Sequence, residues 1–240
     1  MGLTIHWKLH SQARHPTLAR EQVGQLRQRA LDLPVASVGE IIEFTGDEAD
    51  FDRCPDDSPH RWLLIQAGRY VERDGAHFRV EPEHVIAFET IPSDGCEAAN
   101  FGLCRYPSHV TNKQQQRRST GLTDWQWRSF CKTQYASDPR CGGVENFLKC
   151  HLSVVALLDY ANSLGILDEV SDEGGYWKHR DMEALTREIG EWNQMIAAFA
   201  GQLKDALRPQ IEIQSPISEF PNFEHLEARG QEQLRKRRAK

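Results

Sequence analysis

The stretch Leu3-Thr4-Ile5-His6-Trp7-Lys8-Leu9-His10 alternates without a break. Leu3, Ile5, Trp7 and Leu9 fall on one side and Thr4, His6, Lys8 and His10 on the other, the period-two pattern of a strand buried on one face. The period then changes. Across residues 16–33 the apolar Leu18, Val23, Leu26, Ala30 and Leu33 recur at the spacing of an amphipathic helix among arginines and glutamines, and Pro34 stops it. Residues 38–45, with the β-branched Ile41 and Ile42 and a following Gly46, read as a second strand. The chain therefore opens strand, helix, strand.

The same order returns downstream. Trp125, Trp127, Ser129, Cys131, Thr133 and Tyr135 alternate with Gln126, Arg128, Phe130, Lys132 and Gln134, which makes 125–136 a strand. Over 144–164 a helical period gathers Val144, Phe147, Cys150, His151, Val154, Val155, Leu157, Leu158 and Ala161 on one wide face, and Gly165 supplies the stop. A short strand, 166–171, follows. An offset of 125 aligns Ile41, Ile42, Glu43, Asp47, Glu48 and Phe51 with Ile166, Leu167, Asp168, Asp172, Glu173 and Tyr176 without a gap, and His6 with Cys131. The echo predicts a duplicated βαβ unit. The fold expected is α+β, with two βαβ-like halves, an antiparallel hairpin insertion and a long packing helix, and a crevice where the halves meet.

Between and beyond the halves the composition shifts. Residues 47–59 are acidic and carry two prolines, as a loop would. Residues 61–71 and 84–91 read as the strands of the hairpin, with Arg73-Asp74-Gly75 as the turn signal and 77–80 as a further strand. The polar, glutamine-rich 108–121 reads as a linker or mobile insertion. Beyond the second half, Asp181 caps a helix in which Met182, Leu185, Ile189, Trp192, Ile196, Phe199 and Leu203 step alternately by three and four before Pro209. Such a seam packs on its own sheet or seats a partner helix in a homodimer. The division expected is an N-terminal half over 1–107, the linker over 108–121, a C-terminal half with the long helix over 122–208, and a tail with a short basic helix over 209–240.

Composition bounds the function classes. The 240 residues carry 29 basic and 35 acidic side chains, a formal charge of −6, which offers no overall attraction to nucleic acid or to an anionic membrane. Five of the positive charges lie in Leu234-Arg235-Lys236-Arg237-Arg238-Ala239-Lys240, so the body is more acidic still. No run of 18 apolar residues exists, the first residues do not have the pattern of a secretory leader, and His6 stands where a myristoylation signal needs Ser or Thr. Six cysteines are too dilute for a disulfide scaffold, and a cytoplasmic protein with free thiols is expected.

Several residues carry candidate chemistry. Asp47 and Glu48, with Asp172 and Glu173, sit just past strands in both halves, where four carboxylates can gather around a hard cation such as Mg²⁺ or Mn²⁺, or simply face solvent. His151 puts an imidazole on the apolar face of a core helix. There it acts as a catalytic acid or base, or as a structural group with a hydrogen-bond partner. Tyr176 and Trp177, next to Gly174 and Gly175, can stack on a flat ligand or pack on the body. Cys131, Cys141 and Cys150 lack zinc-knuckle spacing, and a thiol nucleophile would require Cys131 to meet His151 or His6. Gly143, after Cys141-Gly142, lets an anion approach a helix start or is simply loop. No serine-hydrolase elbow, phosphate-cradling loop or His-Glu-x-x-His occurs. The reading is a binding protein for a small molecule or a protein partner, its surface between the halves. The alternative is a metal-dependent enzyme built on the carboxylates and His151.

Overall fold

The computed structural model describes residues 3–73, 75–111, 116–206 and 215–238. In chain order they form β1 (Thr4–Ser11), α1 (Pro16–Leu31), β2 (Ser37–Val38), β3 (Ile42–Thr45), α2 (Arg61–Ala67), β4 (Arg69–Arg73), β5 (Ala76–Val80) and β6 (His84–Phe88). There follow β7 (Thr90–Ile91), β8 (Phe101–Arg105), β9 (His109–Thr111), β10 (Arg117–Ser119), β11 (Trp125–Lys132), α3 (Gly143–Ser163), β12 (Leu167–Asp172), α4 (Tyr176–His179), α5 (Met182–Ala206) and α6 (Phe223–Arg238). The architecture is α+β. Six strands make one antiparallel sheet in the order β12-β1-β11-β8-β6-β3, and β2-β7, β4-β5 and β9-β10 form two-stranded ribbons.

The order of the sheet defines how the halves interlock. Because β1 and β8 each run antiparallel to β11, they are parallel to each other, with α1 between them in sequence and β11 between them in space. By the same argument β11 and β12 are parallel, joined by α3, with β1 inserted between them. Two split βαβ units thus fill each other's gaps. The expected succession of strand and helix is found for β1 with α1 and for β11 with α3, although the offset that aligns His6 with Cys131 pairs an outward position with a buried one. The expected second strand of the first half is not in the corresponding place. The position equivalent to β12 belongs to β8, whereas β3, which carries Ile42, lies at the far edge beside β6. The match of 41–51 with 166–176 therefore aligns strands that hold different places in the sheet.

Alternation along the central strands sets the two faces. In β1 Ile5, Trp7 and Leu9 are buried, and across the ladder they meet Cys131, Ser129 and Trp127 of β11. Trp7 stacks on Phe101 at 4.9 Å and Phe101 on Phe88 at 6.0 Å, so an aromatic row crosses the sheet beneath its helices. Helix α1 buries Ala19, Val23, Leu26 and Ala30 and touches α3, β6 and β8. Leu18, expected on that stripe, is exposed, and the small Ala19 takes the inner place.

The other face is covered only in part. Arg20 of α1 pairs with Glu43, while His60, at the start of α2, meets the ring of the adjacent Phe44 at 5.9 Å. Neighbours in a strand point to opposite faces, so α1 and α2 lie on opposite sides of the sheet. Residues 61–67 are helical, not the expected strand: Leu63, Leu64 and Ala67 are buried at helical spacing and Gly68 follows as the stop. The hairpin forms later, from β4 and β5, with Arg73 opposite Ala76 across the turn, while β6 joins the main sheet. Gly102 lets β8 approach β6, since a Cβ there would lie 2.6 Å from that of Ala87 and 2.7 Å from the carbonyl oxygen of Ile86.

Residues 108–121, read as a linker, carry the β9-β10 ribbon between two strands that are themselves neighbours, with Trp125 opposite Arg105. The long helix α5 buries Leu185 and Ile189 against Leu3, Phe147 and Cys150, and further along packs on α6, where Ala197 and Ala200 meet Leu226. Of its expected seam, Met182 and Phe199 are exposed, Trp192 and Ile196 are half-buried, and the side chain of Leu203 lies outside the described residues. The expected basic helix of the tail is α6. No helix among the described residues is long and apolar enough to cross a membrane.

Candidate functional site

His151 lies on α3 with no exposed surface, as its place on the apolar face requires. Its Nε2 is 3.2 Å from Asp172 Oδ2 and its Nδ1 is 3.1 Å from Thr133 Oγ1, so both ring nitrogens have partners. Asp172 closes β12 and also accepts hydrogen bonds from the backbone N–H groups of Gly174 and Trp177, at 2.8 and 2.7 Å. Burial pushes its carboxyl group up. The hydrogen bond and charge of His151, with the two amides, outweigh that push and hold Asp172 below the ordinary carboxylate value. Gly174 belongs here because a Cβ would meet Leu185 Cδ1 at 2.6 Å and His151 Cε1 at 3.3 Å. The group ties helix, strand and loop together, and no substrate reaches His151 in this arrangement.

The four carboxylates are not brought together. Asp47 and Glu48 lie in the 3-10 turn Gly46–Ala49 after β3, at one edge of the sheet, and Asp172 and Glu173 lie at the end of β12, at the other. Five strand spacings, about 24 Å at about 4.8 Å each, separate those edges, where a shared ion needs oxygens within roughly 2.6 Å of one point. Asp47 pairs with Arg53, and Glu173 accepts the N–H of Thr4 at 2.9 Å. Among the described residues no group of three or more His, Cys, Asp or Glu side chains is placed to hold a metal ion. The residues present do not fit the expected Mg²⁺ or Mn²⁺.

Tyr176 and Trp177 form the first turn of α4 and are half-buried. Arg180 lies over both rings, 4.7 Å from that of Trp177, and Tyr176 meets His151 edge-on at 6.2 Å. Cys131 does not meet His151 or His6 through its thiol: its Sγ is 3.5 Å from that of Cys96 and 3.2 Å from the carbonyl oxygen of Glu97. The hydrogen bond with Cys131, and then burial, push the Cys96 thiol up, and Cys150 is pushed up by its bond to Cys96 and by burial. The Cys96 and Cys150 thiols are therefore protonated and poor nucleophiles.

A concave surface does exist at the seam between the halves, on the side of the sheet away from α1. The outward side chains of the three strands there form two rows: Ser171, His6 and Phe130, then Glu169, Lys8 and Arg128. With Ile65 and Gln66 of α2 as a wall, they line a hollow of about 370 Å³. Phe130 is 44% exposed, and His6 lies against it with ring centroids 5.7 Å apart. Lys8 is paired with Glu169, whereas Arg128 makes no ion pair or hydrogen bond among the described residues.

A second hollow of about 340 Å³ adjoins the first and shares Gln66 and Phe130 with it, adding Trp62, Glu89 and Asn100. Trp62 is 70% exposed. Gln66 is fixed at the junction, its Oε1 accepting from Asn100 Nδ2 at 2.9 Å and Ser129 Oγ at 3.3 Å, and its carbonyl oxygen accepting from the buried Arg69. Asn100 is 2% exposed, yet its Oδ1 has no hydrogen-bond partner, and neither has Nε1 of Trp7 on the lining of the first hollow. Buried polar atoms left in this way are rare in a settled core. Sequence reasoning missed this trough. Its signal was an aromatic and two cations at the outward positions of β1 and β11.

No family model, no curated protein and no solved structure matches the chain.

Proposed function

We propose that this chain is a binding protein whose ligand, flat and negatively charged at one end, lies in the trough on the uncovered part of the sheet. The observation that carries the reading is the half-exposed ring of Phe130, shared by two adjoining hollows and standing beside Arg128, a cation that makes no ion pair or hydrogen bond among the described residues and acts only through its charge on its neighbours, Glu169 among them. Each hollow is within the range of small-ligand sites, about 300 to 1,000 Å³, and the lining combines apolar surface with a few polar groups, as such sites do. An exposed ring offers a face for stacking, and a guanidinium binds planar anions through paired N–H groups. The enzyme reading loses its two supports, since the carboxylates stand apart and His151 is sealed in the core.

The test uses 8-anilinonaphthalene-1-sulfonate, a flat aromatic anion whose fluorescence rises on binding. Wild type should bind it saturably at one site. Phe130→Ser combined with Arg128→Gln, two changes at exposed positions, should weaken that binding at least tenfold with an unchanged circular dichroism spectrum. Equal binding by the folded double variant would overturn the reading.

A further inference from the structure

We infer that the ligand of the trough is a nucleotide unit, an aromatic base carrying a phosphate, whether free or within a single strand; this rests on the trough being the binding site. The argument comes from the order of groups along it. At one end stand Arg128 and Lys8, facing each other across β1 and β11. In the middle lies the ring of Phe130, with His6 against it. At the other end Trp62 offers a second, largely exposed ring, and the polar groups beside it include two acceptors, the carboxylates of Glu89 and Glu97.

A ligand that answers all three has an anion first, a flat ring next and N–H donors last. A base with an exocyclic amino group has that order, since its phosphate, ring and amino group are fixed in sequence by the sugar. Stacking of a base on an exposed aromatic side chain tolerates any base, because every base has a π-face. The donors make the choice: adenine and cytosine present a two-proton amino group that the carboxylates of Glu89 and Glu97 can share, while uracil has a single N–H flanked by two carbonyl oxygens that would meet those carboxylates as like partners. A flat hydrocarbon anion would bring no donor to Glu89 and Glu97.

The overall charge of −6 is compatible with this and sets its scale. Lys8 is already paired with Glu169, which leaves Arg128 to neutralise about one phosphate, so binding to a single strand should fall with salt on a log–log slope of only about −0.7. The acidic body limits any longer contact with a polyanion.

The experiment titrates the full chain with adenosine 5′-monophosphate, uridine 5′-monophosphate and a fluorescently labelled ten-nucleotide oligoadenylate. Binding of the monophosphate as tight as that of the oligomer identifies a free nucleotide as the source; tighter binding of the oligomer identifies a strand, and either supports the inference. In both cases Phe130→Leu or Arg128→Gln should weaken binding about tenfold, and the adenine compound should outbind the uracil one. Failure of wild type to bind any of the three, or binding that neither substitution changes, overturns the inference, as does equal affinity for adenine and uracil. If 8-anilinonaphthalene-1-sulfonate still binds wild type but not the Phe130→Ser, Arg128→Gln variant, the trough survives as a site and only its nucleotide assignment fails.

Discussion

His151 Nε2 lies 3.2 Å from Asp172 Oδ2, with both side chains sealed from solvent, and this contact joins the core helix α3 to the end of the edge strand β12. Asp172 also holds the next turn through the amides of Gly174 and Trp177. Removing the carboxylate leaves His151 and two amides unanswered at once. Asp172→Ala should cost about 3 to 5 kcal/mol of stability in urea unfolding, as loss of one partner of a buried pair does. A cost below about 1 kcal/mol would show that the group holds nothing.

The same residue sets a pH dependence whose sign is fixed. The carboxyl group of folded Asp172 lies below its ordinary value of 3.8, so its contribution is fully present above that pH and is lost as pH falls through the folded value. The stability difference between wild type and Asp172→Asn should shrink as pH falls below about 4. A difference that stays constant to pH 2.5, or grows, contradicts the assignment.

Gly102 marks the closest approach of β8 to β6. A methyl group there has backbone and a buried alanine in its way, neither of which can swing aside. Gly102→Ala should destabilise by about 1 to 3 kcal/mol through overpacking, measured by chemical denaturation. An unchanged or raised midpoint would mean that the two strands lie further apart than described.

Much of this fold was legible from period alone. The strict alternation of residues 3–10 and of 125–136 located β1 and β11, although β11 ends at Lys132 and residues 134–137 form a 3-10 turn, and the apolar face of 144–164 located α3 with His151 inside it. What stayed hidden depended on partners distant in sequence. Phe101-Gly102-Leu103-Cys104 is buried on both sides, one of them under α1, so its apolar run shows no alternation, and β8 went unread. The apolar residues at 62–65 suit a strand as well as a helix, and burial at Leu63, Leu64 and Ala67 decides between them. The carboxylate echo was a likeness of short segments, and short segments hold no information about which strand will lie beside which. The outward positions His6, Lys8, Arg128 and Phe130 were each readable as the polar side of a strand. That they form one surface depends on the β1-β11 register, which pairs His6 with Phe130 and Lys8 with Arg128.

Because the two carboxylate pairs stand at opposite edges, Mg²⁺ or Mn²⁺ at millimolar concentration should leave the thermal midpoint of wild type within the error of the scan. A rise that Asp172→Asn abolishes would restore the metal reading.

Phe130 is half-exposed, so Phe130→Ser should alter stability by no more than about 0.5 kcal/mol while removing the stacking face. A loss of several kcal/mol would make the ring a structural group and not a ligand contact.

The most direct test maps the ligand on the protein. In a ¹⁵N–¹H correlation titration with 8-anilinonaphthalene-1-sulfonate, the amides that move should be those of His6, Lys8, Gln66, Arg128 and Phe130, on β1, β11 and α2, which line the trough. Shifts gathered instead around Asp47 and Glu48, or around Tyr176 and Trp177, with the trough silent, would contradict the account.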